Sequence, residues 1–237
     1  MLPQRKNTPT NPALIAAITK SPLRTSLYHF TRARNLPAMA ALDALYAPAV
    51  LSPGHAAGLR RTTTLQVEYG GQTAMLNAHL RITPEAMDPY TTPEEFRRCL
   101  DRHVFLWPTW RDCLAMAAMY SRREPDETFA ILQFSALELL TGQFDRIRLS
   151  KYDSGSSPRF PHRMSYHKSC GMLLPLAEFM SISRRDIPTK PSEIKEVLVE
   201  GQLSPLSRYL QAVYCSEIQH VPEIWQPVCQ PLELAAL

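Results

Sequence analysis

Short apolar runs separated by capped helices are the feature of this sequence that most restricts its fold. Residues 27–31, 104–107, 128–134 and 193–200 are each rich in β-branched, aromatic or other large apolar side chains. Strong helix starts lie among them at Thr92, Thr109 and Ser135. Tight two-residue hairpin signals are few, so helices connect most strands. The pattern predicts an α+β fold with a mixed sheet at its core.

The length and the apolar runs limit the number of domains and the relation to a membrane. A chain of 237 residues can bury a sizeable core. We expect residues 1–23 to form an N-terminal extension with a short helix, and residues 24–237 to form one domain. No apolar run reaches the roughly 18 residues of a membrane span, and the N-terminus lacks a signal-peptide pattern. The sequence therefore predicts a cytoplasmic protein without a membrane partner.

Several familiar catalytic motifs are missing from the chain. It contains eight glycines and has no G-x-S-x-G, G-x-x-x-x-G-K-[ST], G-x-G-x-x-G or H-E-x-x-H sequence. Serine hydrolases, P-loop NTPases, Rossmann dehydrogenases and zincins are accordingly disfavoured. Five scattered cysteines argue against a disulfide framework. His162, His167 and Cys170 fit no standard zinc spacing, so no metal is predicted.

Charge is unevenly distributed along a chain whose net charge is only +4. Up to residue 67 the sole acid is Asp43. The basic residues in that stretch are Arg5, Lys6, Lys20, Arg24, Arg32, Arg34, Arg60 and Arg61. Such a field attracts the phosphates of a dinucleotide or of a nucleic acid, although a solvated basic face is the commoner explanation.

One acidic residue interrupts the apolar run at 193–200. If the run is a strand, Glu196 shares a face with Ile194 and Leu198, while Val197 and Val199 lie on the other. A carboxylate between apolar neighbours is costly to bury without a partner. Glu196 is therefore either a structural carboxylate, at a strand end or in an ion pair, or the acid of a cleft.

The first strand carries two polar side chains on one face. Tyr28 and Phe30 alternate with His29 and Thr31, and a helix start follows in which Asn35 can act as the cap. Polar groups that converge at a strand–helix junction often mark a ligand site. The alternative is a histidine with a purely structural role.

Two basic segments flank the run that contains Glu196. Residues 181–192 form an irregular loop with Arg184, Arg185 and Lys190, and residues 146–150 alternate basic and apolar side chains like an edge or groove-lining strand. Arg146 and Arg148 project from the latter. These residues are candidates for binding a nucleic-acid strand, or are simply solvated. Residues 204–214 and 221–225 are predicted to be helical.

Three of these runs together resemble a known family. Tyr28-His29-Phe30-Thr31 followed by Asn35-Leu36 resembles the first-strand motif of the DarT family of nucleic-acid ADP-ribosyltransferase toxins and related uncharacterised bacterial proteins. Val104-Phe105-Leu106-Trp107 is similar to the aromatic strand of the family's second motif. Lys195-Glu196-Val197-Leu198-Val199 is similar to the strand that presents the family's catalytic glutamate. The motifs also occur in the family's order.

The resemblance implies an ADP-ribosyltransferase-like fold, in which two small β-sheets form an NAD+ cleft with flanking helices. It implies that Glu196 and Arg61 are catalytic. It implies NAD+ contacts from His29, Thr31, Asn35, Arg60, Phe105 and Trp107, with Arg60 as the alternative to Arg61 for the functional arginine. The loop at 181–192 corresponds to the family's substrate-recognition loop. The long insertion between Arg61 and Val104 departs from the family pattern.

The function implied is NAD+-dependent mono-ADP-ribosylation of a base in single-stranded DNA or RNA. NAD+ is then a co-substrate, no metal is needed, and a toxin of this kind is held by a protein antitoxin or serves in anti-phage defence. Loss of nicotinamide leaves an oxocarbenium-like ribose, which a carboxylate such as Glu196 stabilises. The alternatives are a protein-directed transferase, an NAD+ hydrolase, and a non-catalytic nucleic-acid-binding module.

Overall fold

Short helices and short strands alternate along the chain in the computed structural model, which describes residues 11–157 and 165–233. The α-helices are Asn11–Thr19 (α1), Leu36–Leu42 (α2), Pro48–Leu51 (α3), Pro93–Asp101 (α4), Trp110–Arg123 (α5) and Ala136–Gly142 (α6). The strands are Ser26–Arg32 (β1), Leu45–Tyr46 (β2), Leu65–Tyr69 (β3), Gln72–Leu76 (β4), His103–Leu106 (β5), Phe129–Ser135 (β6), Ile147–Ser150 (β7), Leu174–Pro175 (β8), Glu196–Glu200 (β9), Gln202–Leu203 (β10), Leu210–Cys215 (β11) and Cys229–Pro231 (β12). The predicted α+β class is confirmed.

The three predicted helix starts are also confirmed. The Thr92 hydroxyl accepts a hydrogen bond from the Glu95 backbone at 3.1 Å, and the Thr92 backbone donates to the Glu95 carboxylate at 2.9 Å. This reciprocal pair satisfies two backbone donors that the first turn of α4 leaves open. Thr109 and Ser135 cap α5 and α6 through single hydrogen bonds.

The first four-stranded sheet has the order β1-β6-β11-β12. β6 pairs antiparallel with β1 and β11, whereas β12 pairs parallel with β11, so the sheet is mixed as predicted. The prediction of helix over 204–214 was wrong, because Val213 and Cys215 are buried through strand pairing with β6. Residues 223–228 do form a 3-10 helix.

The second four-stranded sheet has the order β5-β9-β7-β8 and is antiparallel throughout. The catalytic candidate Glu196 is the first residue of β9 and lies opposite Ser150 of β7. A separate hairpin joins β3 to β4 through Gly70 and Gly71, whose φ angles are +57° and +74°. Only glycine adopts two successive positive φ angles at little cost.

The two large sheets meet at one point of the backbone. The amide and carbonyl of Tyr28 in β1 exchange hydrogen bonds with those of Trp107, which follows β5, at 2.9 and 2.8 Å. One apolar cluster then runs through both sheets, from Leu132 and Phe134 in β6 to Val197 and Val199 in β9. α1 packs Leu14 into the same cluster although it lies in the predicted extension. The described residues contain no helix of the length and hydropathy that a membrane span requires.

Candidate active site

A cavity of about 270 Å³ opens where the two sheets meet. Its walls come from β1, from the β3–β4 hairpin, from the end of α4, from β5 and from the first residue of β9. Seven of the residues predicted from the sequence line it: His29, Thr31, Asn35, Arg61, Phe105, Trp107 and Glu196. Arg60 and the basic residues assigned to nucleic acid, which are Arg146, Arg148, Arg184, Arg185 and Lys190, do not line it.

Glu196 is 3% exposed, and Ser154 binds its carboxyl group. Its Oε2 accepts hydrogen bonds from the Ser154 amide at 3.1 Å and from the Ser154 hydroxyl at 2.7 Å. Burial, with a further contribution from Asp153, raises the pKa of Glu196 to about 8, against the opposing effects of Ser154 and Lys168. The empty cavity thus favours the neutral acid of Glu196. A positively charged ligand in the cavity would favour the carboxylate.

The alternation predicted around Glu196 holds only from Glu196 onward. Val197 and Val199 pack in the cluster that joins the two sheets, and Leu198 packs on the opposite side with Phe96. Ile194 was expected on the Glu196 face but lies in the same cluster as Val197 and Val199. The prediction was wrong there because β9 begins at Glu196, so the period of two does not extend to residue 194.

The imidazole of His29 offers a hydrogen-bond acceptor to the cavity. Its Nδ1 lies 2.8 Å from the carbonyl oxygen of Phe105, which can only accept, so Nδ1 carries the proton. Desolvation lowers the pKa of His29 to about 4, so the ring is neutral at physiological pH. The unprotonated Nε2 then has no recorded partner among the described residues and is free to accept from a bound ligand.

Thr31 and Asn35 are buried beside His29 and tie β1 to β4. The Asn35 amide donates to the Met75 carbonyl at 3.1 Å and accepts from the Met75 amide at 2.8 Å. Asn35 therefore does not cap α2, contrary to the prediction, because its side chain completes the backbone bonding of a strand edge instead. The Asn35 amide also lies 3.4 Å from the Thr31 hydroxyl.

The Arg61 guanidinium is fixed in the cavity wall by Asp101. Its two terminal nitrogens donate to the two Asp101 oxygens at 2.8 and 2.7 Å. His79 accepts from the Arg61 amide at 2.9 Å through Nδ1, so its Nε2 carries the proton and donates to Asp101 at 3.0 Å. Burial alone would raise the Asp101 pKa, but His79 and Arg61 outweigh it and hold that pKa below its ordinary value.

Asp101, His79 and Ser154 are site residues that the sequence reasoning missed. His79 comes from the long insertion, which has no periodic pattern, and Ser154 comes from a turn whose sequence indicated a turn and no more. Asp101 ends α4 immediately after the buried Cys99 and Leu100. An acid adjoining an apolar helix face was the one available signal for it.

Three of the five basic residues assigned to nucleic acid have side-chain partners within the described residues. Arg148 pairs with Glu200 at 3.2 Å, and Arg146 donates to the Gln143 side chain. The expectation that residues 146–150 form an edge was wrong, since β7 lies between β9 and β8. Arg184 donates to the Gly171 carbonyl and pairs with Asp186.

Arg185 and Lys190 are exposed in the loop at 181–192, and no ion pair is recorded for either among the described residues. The Tyr152 hydroxyl donates to the Arg185 carbonyl at 3.4 Å. The Tyr152 ring stacks on that of Tyr166 with centroids 3.5 Å apart. The loop is thereby connected to the turn that holds Glu196.

The three residues considered as zinc ligands do not complete a site in the described structure. His162 lies outside the described residues. Elsewhere in residues 11–157 and 165–233, no group of three or more metal-ligating side chains is found.

Comparisons with known proteins give one family and one set of similar structures. The family described as "Family of unknown function (DUF7002)" matches residues 25–210. No curated protein sequence matches the chain. Three solved structures of DarT from Thermus sp. 2.9 are similar over 84% of this chain. They are a complex with carba-NAD+ (15% identity, 86% of that chain, TM-score 0.40), one with ADP-ribosylated ssDNA and one with NAD+ (each 14% identity, 85% of that chain, TM-score 0.39).

Proposed function

The chain belongs to the DUF7002 family of unknown function, and we propose that it is an NAD+-dependent mono-ADP-ribosyltransferase that modifies a nucleic-acid base. The observation that supports this most is that residues from three separate motifs line one cavity. These motifs, at 28–36, 104–107 and 195–199, are the ones that resemble the DarT family. Residues chosen for their motif alone have no reason to converge on a cavity unless they serve a common ligand.

The chemistry at the centre of the proposal is cleavage of the bond between ribose and nicotinamide. The electron pair of that bond leaves with nicotinamide, and the ribose carbon becomes positively charged until the acceptor adds to it. The Glu196 carboxylate stabilises this charge in a water-poor cavity, where electrostatic interactions are strong. Because Ser154 binds only Oε2, Glu196 keeps Oε1 for a ribose hydroxyl.

The other cavity residues bind and orient NAD+ in this proposal. His29 accepts a hydrogen bond from a ribose hydroxyl or from the nicotinamide amide, and Thr31 supplies a hydroxyl beside it. Phe105 and Trp107 form the wall against which the nicotinamide ring packs. Arg61 contributes the guanidinium N–H groups that remain after its bonds to Asp101 and to the Asn77 carbonyl.

The acceptor and the biological role belong to the same proposal. Arg185 and Lys190 are exposed in the loop that leads to β9, so they can contact phosphates without entering the cavity. In this proposal the chain is a toxin that a protein antitoxin holds inactive, or that serves in anti-phage defence. Transfer to protein and hydrolysis of NAD+ use the same cavity and differ only in the acceptor.

Incubation with adenylate-labelled NAD+ and separate pools of DNA, RNA and protein tests the proposal. We expect label in DNA or RNA together with release of nicotinamide. Label confined to protein would show that protein is the acceptor, and nicotinamide release without any label would show that water is. Either result would support the NAD+ site and reject the nucleic-acid acceptor. Nucleic-acid binding without label or nicotinamide release would favour the non-catalytic binding module.

Replacing His29 by alanine should weaken NAD+ binding about tenfold, the usual effect of losing one hydrogen bond. The reason is the Nε2 acceptor that His29 presents to the cavity. Isothermal titration calorimetry measures the affinity, and His55→Ala is the control, because His55 is exposed and bonds only to Ser52. Unchanged affinity with a lower melting temperature would assign His29 a structural role.

Replacing Arg184 and Arg185 together by alanine should weaken nucleic-acid binding and leave NAD+ affinity unchanged. Each lost phosphate contact lowers the log–log salt slope by about one unit. Fluorescence anisotropy at several salt concentrations measures this. The matched control is Arg122→Ala with Arg123→Ala, an exposed pair at the end of α5. Equal salt slopes for the two double variants would show that the loop arginines are solvated surface residues.

A further inference from the structure

Lys168 is a buried lysine close to the Glu196 carboxyl group. It is 0% exposed, which is rare for a lysine that is not paired with an acid. The Lys168 backbone is fixed in place, since its amide donates to the Ala86 carbonyl at 2.8 Å and its carbonyl accepts from the Asp88 amide at 3.0 Å. The start of the Lys168 side chain is therefore held at a defined position.

The Lys168 ammonium binds the turn that in turn binds Glu196. Its Nζ donates to the Asp153 carbonyl and, at 3.0 Å, to the Ser154 carbonyl. Ser154 then supplies both hydrogen bonds that Glu196 Oε2 accepts. Asp153 closes the same turn by accepting from the amides of Gly155 and Ser156 at 3.0 and 3.2 Å.

Within residues 11–157 and 165–233, no direct ion pair matches the charge of Lys168. In the part of the chain that the structure describes, both recorded hydrogen bonds of Nζ go to backbone carbonyls. The negative groups near enough to act on it are Asp153 and Glu196. Burying an ammonium group without a bonded carboxylate is costly, and desolvation lowers the pKa of Lys168 accordingly, against the opposing effects of Asp153 and Glu196.

We propose that Lys168 is the positioning residue of Glu196: its ammonium orders the turn at 153–154 that hydrogen-bonds the carboxyl group, and it supplies the positive charge that favours the carboxylate over the neutral acid. The part of this inference that concerns catalysis rests on the proposed function. The electrostatic effect of Lys168 on Glu196 does not depend on the proposed function.

Neighbouring groups act on the Glu196 carboxyl in opposite directions. Asp153 favours the neutral acid by repulsion, whereas Ser154 and Lys168 favour the anion. Tyr166 is a further titratable neighbour, and desolvation together with Tyr152, Asp153 and Glu196 raises its pKa to about 12, so it stays neutral. Lys168 is thus a cation whose charge favours the Glu196 anion.

The test compares Lys168→Met and Lys168→Gln with wild type in two measurements. The first is the pH profile of nicotinamide release, in which we expect the apparent pKa of the rising limb to increase by about one unit or more. The matched control is Lys20→Met, which removes an exposed lysine after α1 and should leave the profile unchanged. If Lys168 only stabilised the fold, its replacement would lower the rate by the same factor at every pH and leave the apparent pKa unchanged.

The second measurement does not depend on activity. The free energy of unfolding of each protein is compared with that of the same protein carrying Glu196→Gln, as a function of pH. This difference stops changing with pH once Glu196 has lost its proton in the folded protein. In the Lys168 variants we expect that point to lie about one pH unit higher than in wild type.

The two measurements separate the possible failures. A shift in the unfolding comparison without nicotinamide release by wild type would reject the proposed function and keep the role of Lys168. Unchanged midpoints in both measurements, or failure of both Lys168 variants to fold, would overturn the inference in favour of a bracing residue.

Discussion

Glu196→Gln is expected to lower the rate of ADP-ribosyl transfer by on the order of 10²- to 10³-fold or more, while NAD+ binding and the fold persist. Glutamine keeps the shape of the side chain and can still accept from Ser154 through its amide oxygen. It lacks the negative charge that stabilises the ribose cation. Single-turnover transfer from labelled NAD+ measures the rate, and calorimetry measures the binding. A rate within a few-fold of wild type would remove Glu196 from the catalytic role.

The same substitution should stabilise the protein at alkaline pH. The pKa of Glu196 in the folded protein is about 8, above the ordinary value of 4.5, so the folded state binds the extra proton between these two pH values. The free energy of unfolding of wild type therefore falls as the pH rises through this window, and Glu196→Gln removes that fall. Chemical denaturation at several pH values compares the two proteins. Parallel curves for both would contradict the burial and raised pKa described for this carboxyl.

Asp101→Asn is expected to lower the free energy of unfolding by about 3–5 kcal/mol, because it leaves the buried Arg61 charge without its partner. Arg61 and Asp101 are 9% and 3% exposed, and His79 bonds to the same carboxylate. The uncharged amide also cannot hold the guanidinium against the cavity wall, so NAD+ affinity should fall as well. Urea denaturation at neutral pH measures the stability.

Glu94→Gln is the matched control for Asp101→Asn. Glu94 lies on the same helix and pairs with Arg97, but it is 48% exposed. Its loss should cost at most about 0.5 kcal/mol, as for other surface ion pairs. Equal effects of the two substitutions would show that the Arg61–Asp101 pair is no more than a surface interaction.

The sequence predicted those parts of the site that local periodicity encodes. Alternation in β1 placed His29 and Thr31 on one side, and the structure brings both to the cavity. The Thr92 capping box requires only residues three apart, so it could be identified without tertiary information. Glu196 was recognisable because a charge interrupts an otherwise apolar strand.

The partners of these residues could not be predicted, because they are fixed by contacts between distant parts of the chain. Ser154 reaches Glu196 only after β7 pairs with β9, which places the turn after β7 beside the start of β9. Asn35 has the sequence context of a helix cap, yet the edge of β4 offers its amide a better pair of partners. The strand β11 was missed for the same reason, since pairing with β6 and not local propensity determines its conformation.

Nicotinamide release by wild type and by Glu196→Gln, followed from about pH 6 to about pH 10 with nucleic acid present, tests the central claim most directly. The claim is that this cavity cleaves NAD+ by means of the Glu196 carboxylate. At NAD+ concentrations well below KM, where the profile reports the empty cavity, we predict that release by wild type rises with pH as Glu196 loses its proton, with a midpoint near its pKa of about 8, and that Glu196→Gln stays at background throughout. Equal release by the two proteins, or none by wild type at any pH, would contradict the claim.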